Sequence, residues 1–248
     1  DESSPLVPDF SLRKVVGSLQ WLCVVARPDL VFVTNTLARV SHLPVRQTTI
    51  TACKKVLSYV KATQDYGLVY SESREKQMNE TFSDLLLHPE NVALQKDTND
   101  YKQPHPVQSF GDASFASTLK MKSISGLVIF FRGVPISWKS SVQTLTSMST
   151  CEAETVAQSD LIVLSQEAHS IYEIISKGVE IDTPTEDAGP LWCDNRAVTL
   201  NAKKSDISDL PRKSRHIALR ETRVLEEGKR SLFCPTQLQL ADGLTKQP

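Results

Sequence analysis

Apolar residues recur at helical spacing between Leu12 and Val25, at Leu12, Val15, Val16, Leu19, Leu22 and Cys23, and predict an amphipathic helix. The Arg27-Pro28-Asp29 step ends it, and Pro28 suits the first turn of a second helix carrying Leu30, Val33, Leu37 and Val40. Leu43-Pro44 closes that stripe. A third runs through Ile50, Cys53, Val56, Leu57 and Val60, until Gly67 precedes a predicted short strand, Leu68–Tyr70. Residues 1–70 thus read as a small helical module with no acidic cluster on one face. Between residues 71 and 106 charge dominates, Leu85–Leu87 is the one apolar run, and Pro89, Pro104 and Pro106 punctuate the rest. That composition predicts a charged linker or surface insertion, partly disordered.

From Val107 the pattern changes. Short β-favouring runs at Gln108–Phe110, Gly126–Arg132 and Val134–Trp138 are separated by turns, one at Gly133. A long helix over about Thr150–Ser176 follows, then a buried strand at Leu191–Cys193 and a helix at Asn195–Asn201. Ser214–Glu227 reads as a basic helix, Arg230–Cys234 as a strand and Leu238–Lys246 as a closing helix. The order β-β-β-α-β-α-α-β-α over residues 107–248 is that of an α/β layered domain with an antiparallel start.

The 248 residues leave room for such a domain beside a smaller module. A formal net charge of −1 means that any nucleic-acid surface must be local. The five cysteines are dispersed, with no CxxC and no zinc-type His spacing, which argues against structural zinc and suits a reducing compartment. No apolar run approaches the roughly 20 residues of a membrane span, so no membrane partner is expected. A chain beginning at Asp1, without Met and without a signal peptide, is expected to be a piece of something longer.

Four acids fall at expected strand ends or helix starts: Asp112, Glu152, Asp194 and Asp242. Strand ends in α/β sheets gather residues distant in sequence. Carboxylates gathered there would need a cation between them, and hard oxygen donors favour Mg²⁺ or Mn²⁺. A plainer alternative stands beside this one. Among 29 acids, Glu152 also suits a helix start, where it complements the macrodipole, and Asp194 suits a cap for the next helix.

The words around these residues, "GDASFAS" (Gly111–Ser117), "SISGLVIFFRGVPISWKS" (Ser123–Ser140), "SMSTCEAETVAQSD" (Ser147–Asp160), "LWCDNRAV" (Leu191–Val198) and "LQLADGLTK" (Leu238–Lys246), resemble the ribonuclease H domain of copia-type retrotransposon polyproteins. Upstream, "VVGSLQWLCVVARPDLVFVTNTLARVS" and "ACKKVLSYVKATQDYGLVYS" resemble the helical thumb and connection that end the reverse transcriptase of these elements. The resemblance implies a ribonuclease H-like fold, a five-stranded mixed sheet with helices, preceded by the helical module. It implies two Mg²⁺ ions, or Mn²⁺, held by Asp112, Glu152, Asp194 and Asp242, with Asp112 bridging both. It further implies hydrolysis of the RNA strand of an RNA–DNA hybrid to 5′-phosphate ends, and the polymerase part of the parent polyprotein as a partner. Glu154, two residues beyond Glu152, is expected to point elsewhere. Ser114 replaces the usual second Asp of the first motif, and "RHIALRE" keeps His216 but has Ala218 where the family has Asp. His216 is open to a catalytic, a phosphate-contact or a plain surface role. No Tyr-x-Asp-Asp polymerase motif occurs, so this stretch is not expected to synthesise DNA.

Hybrid binding calls for positive charge beside the carboxylates. Arg196–Arg230 holds ten Lys or Arg against five acids. Arg196, Lys203, Lys204, Arg212, Lys213, Arg215, His216 and Arg220 are the candidate backbone contacts, with Asn195 for a ribose hydroxyl. A solvated helix face with i,i+4 pairs, and a capping role for Asn195, account for the same residues. Trp138 and Lys139, at the end of the third strand, are further candidates to touch the duplex, with a buried role the favoured alternative for Trp138. Two other functions remain in view. One is a catalytically silent nucleic-acid-binding or scaffold module derived from a retrotransposon; the other is an integrase-like nuclease, whose Asp, Asp, Glu order differs from the Asp, Glu, Asp, Asp order here. The expected setting is intracellular, cytoplasmic within a virus-like particle or nuclear.

Overall fold

The computed structural model describes residues 3–94, 104–177, 188–205 and 217–246. These fall into two compact units, one of the residues up to Val69 together with Lys246 and one spanning Tyr70–Thr245. The first contains α1 (Leu12–Val25), α2 (Val31–Val40) and α3 (Gln47–Ala62). The predicted stripes are its core: Leu12, Val16, Leu19 and Cys23 of α1, Val31 and Leu37 of α2, and Ile50, Cys53 and Val56 of α3 are buried. Buried Arg27 fastens the unit. Its guanidinium pairs with Asp29 at 2.7 Å and donates to the Thr63 carbonyl at 3.0 Å, so the charge is compensated where it is desolvated. Leu68–Tyr70 is not a strand; no ladder partner lies beside it among the described residues.

The second unit is built on a five-stranded mixed sheet in the order β3-β2-β1-β4-β5. Strands β1 (Val107–Ser114), β2 (Ile124–Phe131) and β3 (Val134–Val142) form an antiparallel meander, and β4 (Leu191–Cys193) and β5 (Ser231–Phe233) add in parallel. One face carries Val107, Leu127, Ile129 and Leu191 against Ala157, Leu161 and Ile162 of α6 (Thr150–Lys177), with Ala202 and Val224 completing that core. Those last two come from α7 (Arg196–Ala202) and α8 (Ala218–Glu226).

The opposite face presents Phe110 and Trp192, and residues 72–94, from the stretch expected to be a charged linker or surface insertion, cover it. Residues 72–94 form α4 (Glu72–Leu86) and α5 (Pro89–Leu94) within the sheet's own unit. Phe82 of α4 meets the Phe110 ring at 5.1 Å and the Trp192 ring at 5.2 Å. Met78, Leu85 and Leu86 are buried beside it. Asn91 then bonds along β5, donating to the Phe233 carbonyl and accepting from its amide, both at 2.8 Å. At the β2–β3 turn Gly133 has φ of +80° and approaches so near to α4 that a Cβ there would lie 2.5 Å from the Arg74 carbonyl oxygen. The segment is charged because its outer surface is wet, and ordered because its inner stripe has an aromatic sheet face to cover.

The closing helix expected at Leu238–Lys246 is instead two short 3₁₀ turns, Thr236–Leu238 and Asp242–Leu244. Gln239, between them, donates its side-chain amide to the Gly111 carbonyl at 2.9 Å and accepts from the Ala241 amide at 3.2 Å. A bond to the sheet outweighs a continued helix here.

Candidate carboxylate site

Asp112 lies near the end of β1, 3% exposed, opposite Gly126 of β2. Parallel pairing of Phe110 with Trp192 brings β1 and β4 to the same sheet end, so Asp112 and Asp194 leave neighbouring strands two residues beyond that pair. The hydroxyl of Thr245 bonds to Asp112 Oδ2 and lies 3.0 Å from the Asp242 carbonyl oxygen, which ties the turn carrying Asp242 to Asp112. Gly126 makes this approach feasible. A Cβ there would lie 2.7 Å from Thr245 Cγ2 and 2.8 Å from the Ala241 carbonyl oxygen.

The first two glutamates of α6, Glu152 and Glu154, face different ways. Ser149 begins the helix with its hydroxyl accepting from the Glu152 amide at 3.2 Å, and Glu152 Oε2 accepts from the Met148 amide at 2.6 Å. This is a capping arrangement, with the carboxylate directed at the start of its own helix. Glu154 was expected to point elsewhere. Instead a carboxylate oxygen of Glu154, one of Asp194 and the Cys193 sulfur all lie within 4.8 Å of one another. Helix rotation is the reason: two residues turn the side-chain direction by about 200°, so only one of the pair can face β4. Of the four expected ligands, Asp194 alone belongs to that tight group among the described residues.

Asp112 shares the neighbourhood nonetheless. Burial pushes the Cys234 thiol well above its ordinary value, and the charges of Asp194, Asp112 and Glu154 add to the shift, so all three carboxylates act on one sulfur. Cys193 is likewise raised, by burial first and then by Glu154 and Asp194. Cys193 and Cys234 went unmarked as site neighbours in the sequence because they lack any metal-ligand spacing; strand pairing supplies the proximity, with the Cys234 amide donating to the Cys193 carbonyl at 3.0 Å.

The basic residues divide. Asn195 is a helix cap, its Oδ1 accepting from the amides of Ala197 at 3.0 Å and Val198 at 3.3 Å. Arg220 is drawn inward to Asp160 of α6, so it joins α8 to α6. Lys203 donates to the Lys229 carbonyl at 3.0 Å, and Lys204 is half-buried at the end of α7. Arg196 is 68% exposed and faces Glu90 of α5 at 3.6 Å. Trp138 is half-buried in β3 and Lys139 exposed. Arg212, Lys213, Arg215 and His216 lie outside the described residues.

No helix among the described residues is long and apolar enough to cross a membrane. No family model and no solved structure matches the chain. It is similar to the retrovirus-related Pol polyproteins from the Arabidopsis thaliana transposons RE2, 28% identical across 98% of this chain, and RE1, 25% identical across 94%. It is also 26% identical, across 58% of its length, to the secreted RxLR effector protein 161 of Plasmopara viticola, 82% of which is covered. The chain spans 14% of the length of either polyprotein, and these two relatives support its derivation from a retrotransposon Pol polyprotein.

Proposed function

We propose that Tyr70–Thr245 is a ribonuclease H of copia type that hydrolyses the RNA strand of RNA–DNA hybrids, and that the helical unit before it descends from the end of a reverse transcriptase. The observation that carries this proposal is the placement of Asp112 and Asp194 at one end of neighbouring strands of a mixed sheet, with Glu154 against Asp194, in a chain similar to Pol polyproteins along almost its whole length. In this reading Asp112, Asp194 and Asp242 act as ligands, and Glu154 takes the place expected of Glu152. Their oxygens are hard donors suited to Mg²⁺ or Mn²⁺. Divalent ions held there supply an acidified water and offset charge on the departing 3′ oxygen. The chain's own residues do the rest. Thr245 orients the Asp112 carboxylate, Gly126 admits the Asp242 turn, and exposed Arg196 at the start of α7 offers a phosphate contact. Specificity for hybrid over DNA rests on contacts to 2′-hydroxyls.

The test is a labelled hybrid incubated with the chain and Mg²⁺. Wild type is expected to cut the RNA strand, and Asp112→Asn to bind the hybrid without cutting. Cleavage by Asp112→Asn at the wild-type rate refutes the site. The similarity to a secreted effector favours a second reading, a silent module retained for another purpose; hybrid binding by wild type without cleavage would support it.

A further inference from the structure

Beside the hard carboxylates sits a softer donor, and it changes which ions the site can hold. Cys193 Sγ and one carboxylate oxygen each from Glu154 and Asp194 are mutually within 4.8 Å. One turn along α6 from Glu154, and so on the same helix face, is Gln158, 1% exposed. Its amide lies against the Cys193 thiol, and among the described residues neither Nε2 nor Oε1 has any other hydrogen-bond partner. A buried amide whose one partner is a weakly bonding thiol is left largely unsatisfied at a cost, and such a group marks a place where a ligand belongs. Its carbonyl oxygen would complete a set of one sulfur and three oxygens.

We propose that Cys193, Glu154, Asp194 and Gln158 form a binding site for a single thiophilic divalent ion of the Zn²⁺ or Cd²⁺ class, and that its occupation blocks the hybrid-cleaving centre. Mg²⁺ has little affinity for sulfur, whereas Zn²⁺ and Cd²⁺ accept mixed sulfur and oxygen donors. A tetrahedral ion with ligands at about 2.0–2.3 Å holds its donors roughly 3.3–3.8 Å apart, so side-chain shifts of about an ångström close the present spacing. Half-exposed Asp194 provides the entry side. As the Sγ–metal bond forms, the thiol proton passes to water and no oxidant is needed. The blocking half of this proposal rests on the ribonuclease H reading, because it requires that Glu154 and Asp194 also serve Mg²⁺. The binding half does not.

The experiment titrates the intact chain, kept reduced with a phosphine, with Cd²⁺ and follows the near-ultraviolet thiolate-to-metal charge-transfer band. Wild type is expected to show one band saturating at one ion per chain. Cys193→Ser should lose it, Cys234→Ser should keep it, and Glu154→Gln should weaken binding at least tenfold, with circular dichroism showing that each variant is folded. No band in wild type, or a band that survives in folded Cys193→Ser, overturns the site. If Cys193→Ser fails to fold, an unweakened band in Glu154→Gln overturns it instead. In a parallel hybrid-cleavage assay with Mg²⁺, each protein normalised to its own uninhibited rate, Cd²⁺ should inhibit wild type at least tenfold more potently than Cys193→Ser. Equal inhibition refutes the blocking role. If wild type cuts no hybrid at all, the ribonuclease reading and the blocking role fall together, while the absorbance titration still decides the site.

Discussion

Replacing Glu152 and Glu154 of α6 in turn separates a helix cap from the proposed metal ligand. Glu152 accepts from the Met148 amide at 2.6 Å while its own amide bonds to Ser149. Losing such a cap costs about 0.5–2 kcal/mol, and a domain of this size loses about 2–4 °C of melting temperature per kcal/mol. Glu152→Ala is therefore expected to melt roughly 1–8 °C lower and to cut hybrid within about threefold of wild type, since that corresponds to under 1 kcal/mol of barrier. Glu154 differs. Unit charges 4.8 Å apart, the outer limit of its separation from Asp194, interact by about 3.5 kcal/mol at an effective dielectric of 20. A carboxylate facing a divalent ion at that range supplies at least as much attraction, so Glu154→Gln should cut about a hundredfold slower or worse at fixed Mg²⁺. The assay is single-turnover cleavage of a labelled hybrid across a Mg²⁺ series, with melting curves for each variant. Loss of cutting in folded Glu152→Ala together with near-normal cutting in Glu154→Gln would refute the exchange of roles.

Three further outcomes follow from the packing. Gly126→Ala places a methyl 2.7–2.8 Å from Thr245 and Ala241; the Asp242 turn must shift, and hybrid cleavage should fall at least tenfold while stability drops by about 1–3 kcal/mol. Unchanged cleavage would show that the turn does not belong to the site. Phe82→Ala removes the ring seated on Phe110 and Trp192 and should cost about 3–5 kcal/mol by urea unfolding; a loss below 1 kcal/mol would return residues 72–94 to the status of a linker. The buried thiols predict alkaline sensitivity. Cys193 and Cys234 are held protonated in the folded chain, above their ordinary value of 9.0, whereas the unfolded chain releases those protons from about pH 9 upward. Fewer protons on the unfolded state mean that stability is full below that value and declines above it, by up to about 1.4 kcal/mol per pH unit for each thiol. Urea midpoints under reducing conditions should fall between pH 8 and pH 10, by less in a Cys193→Ser/Cys234→Ser double variant; an equal fall in both would remove the thiols as the cause.

By itself the sequence determined the helices α1 to α3 and α6 to α8 and most strands, because apolar spacing reports the face that each element must bury. The stripe from Leu12 to Val25 and the run at Leu191–Cys193 appear where periodicity put them. Acids at strand ends were legible too, as was Asp194 beside a buried strand. Tertiary structure alone decided the rest. Met78, Phe82, Leu85 and Leu86 are too few in a charged stretch to announce a packed helix until a sheet displays Phe110 and Trp192 for them to cover. Which glutamate of "CEAET" meets Asp194 depends on the rotation of α6 about its axis, a quantity set by its docking on the sheet and not by local pattern. Cys193 and Cys234 are 41 residues apart in the chain and become neighbours only through the pairing of β4 with β5. Local interactions select the element; long-range packing selects which of its sides faces the chemistry.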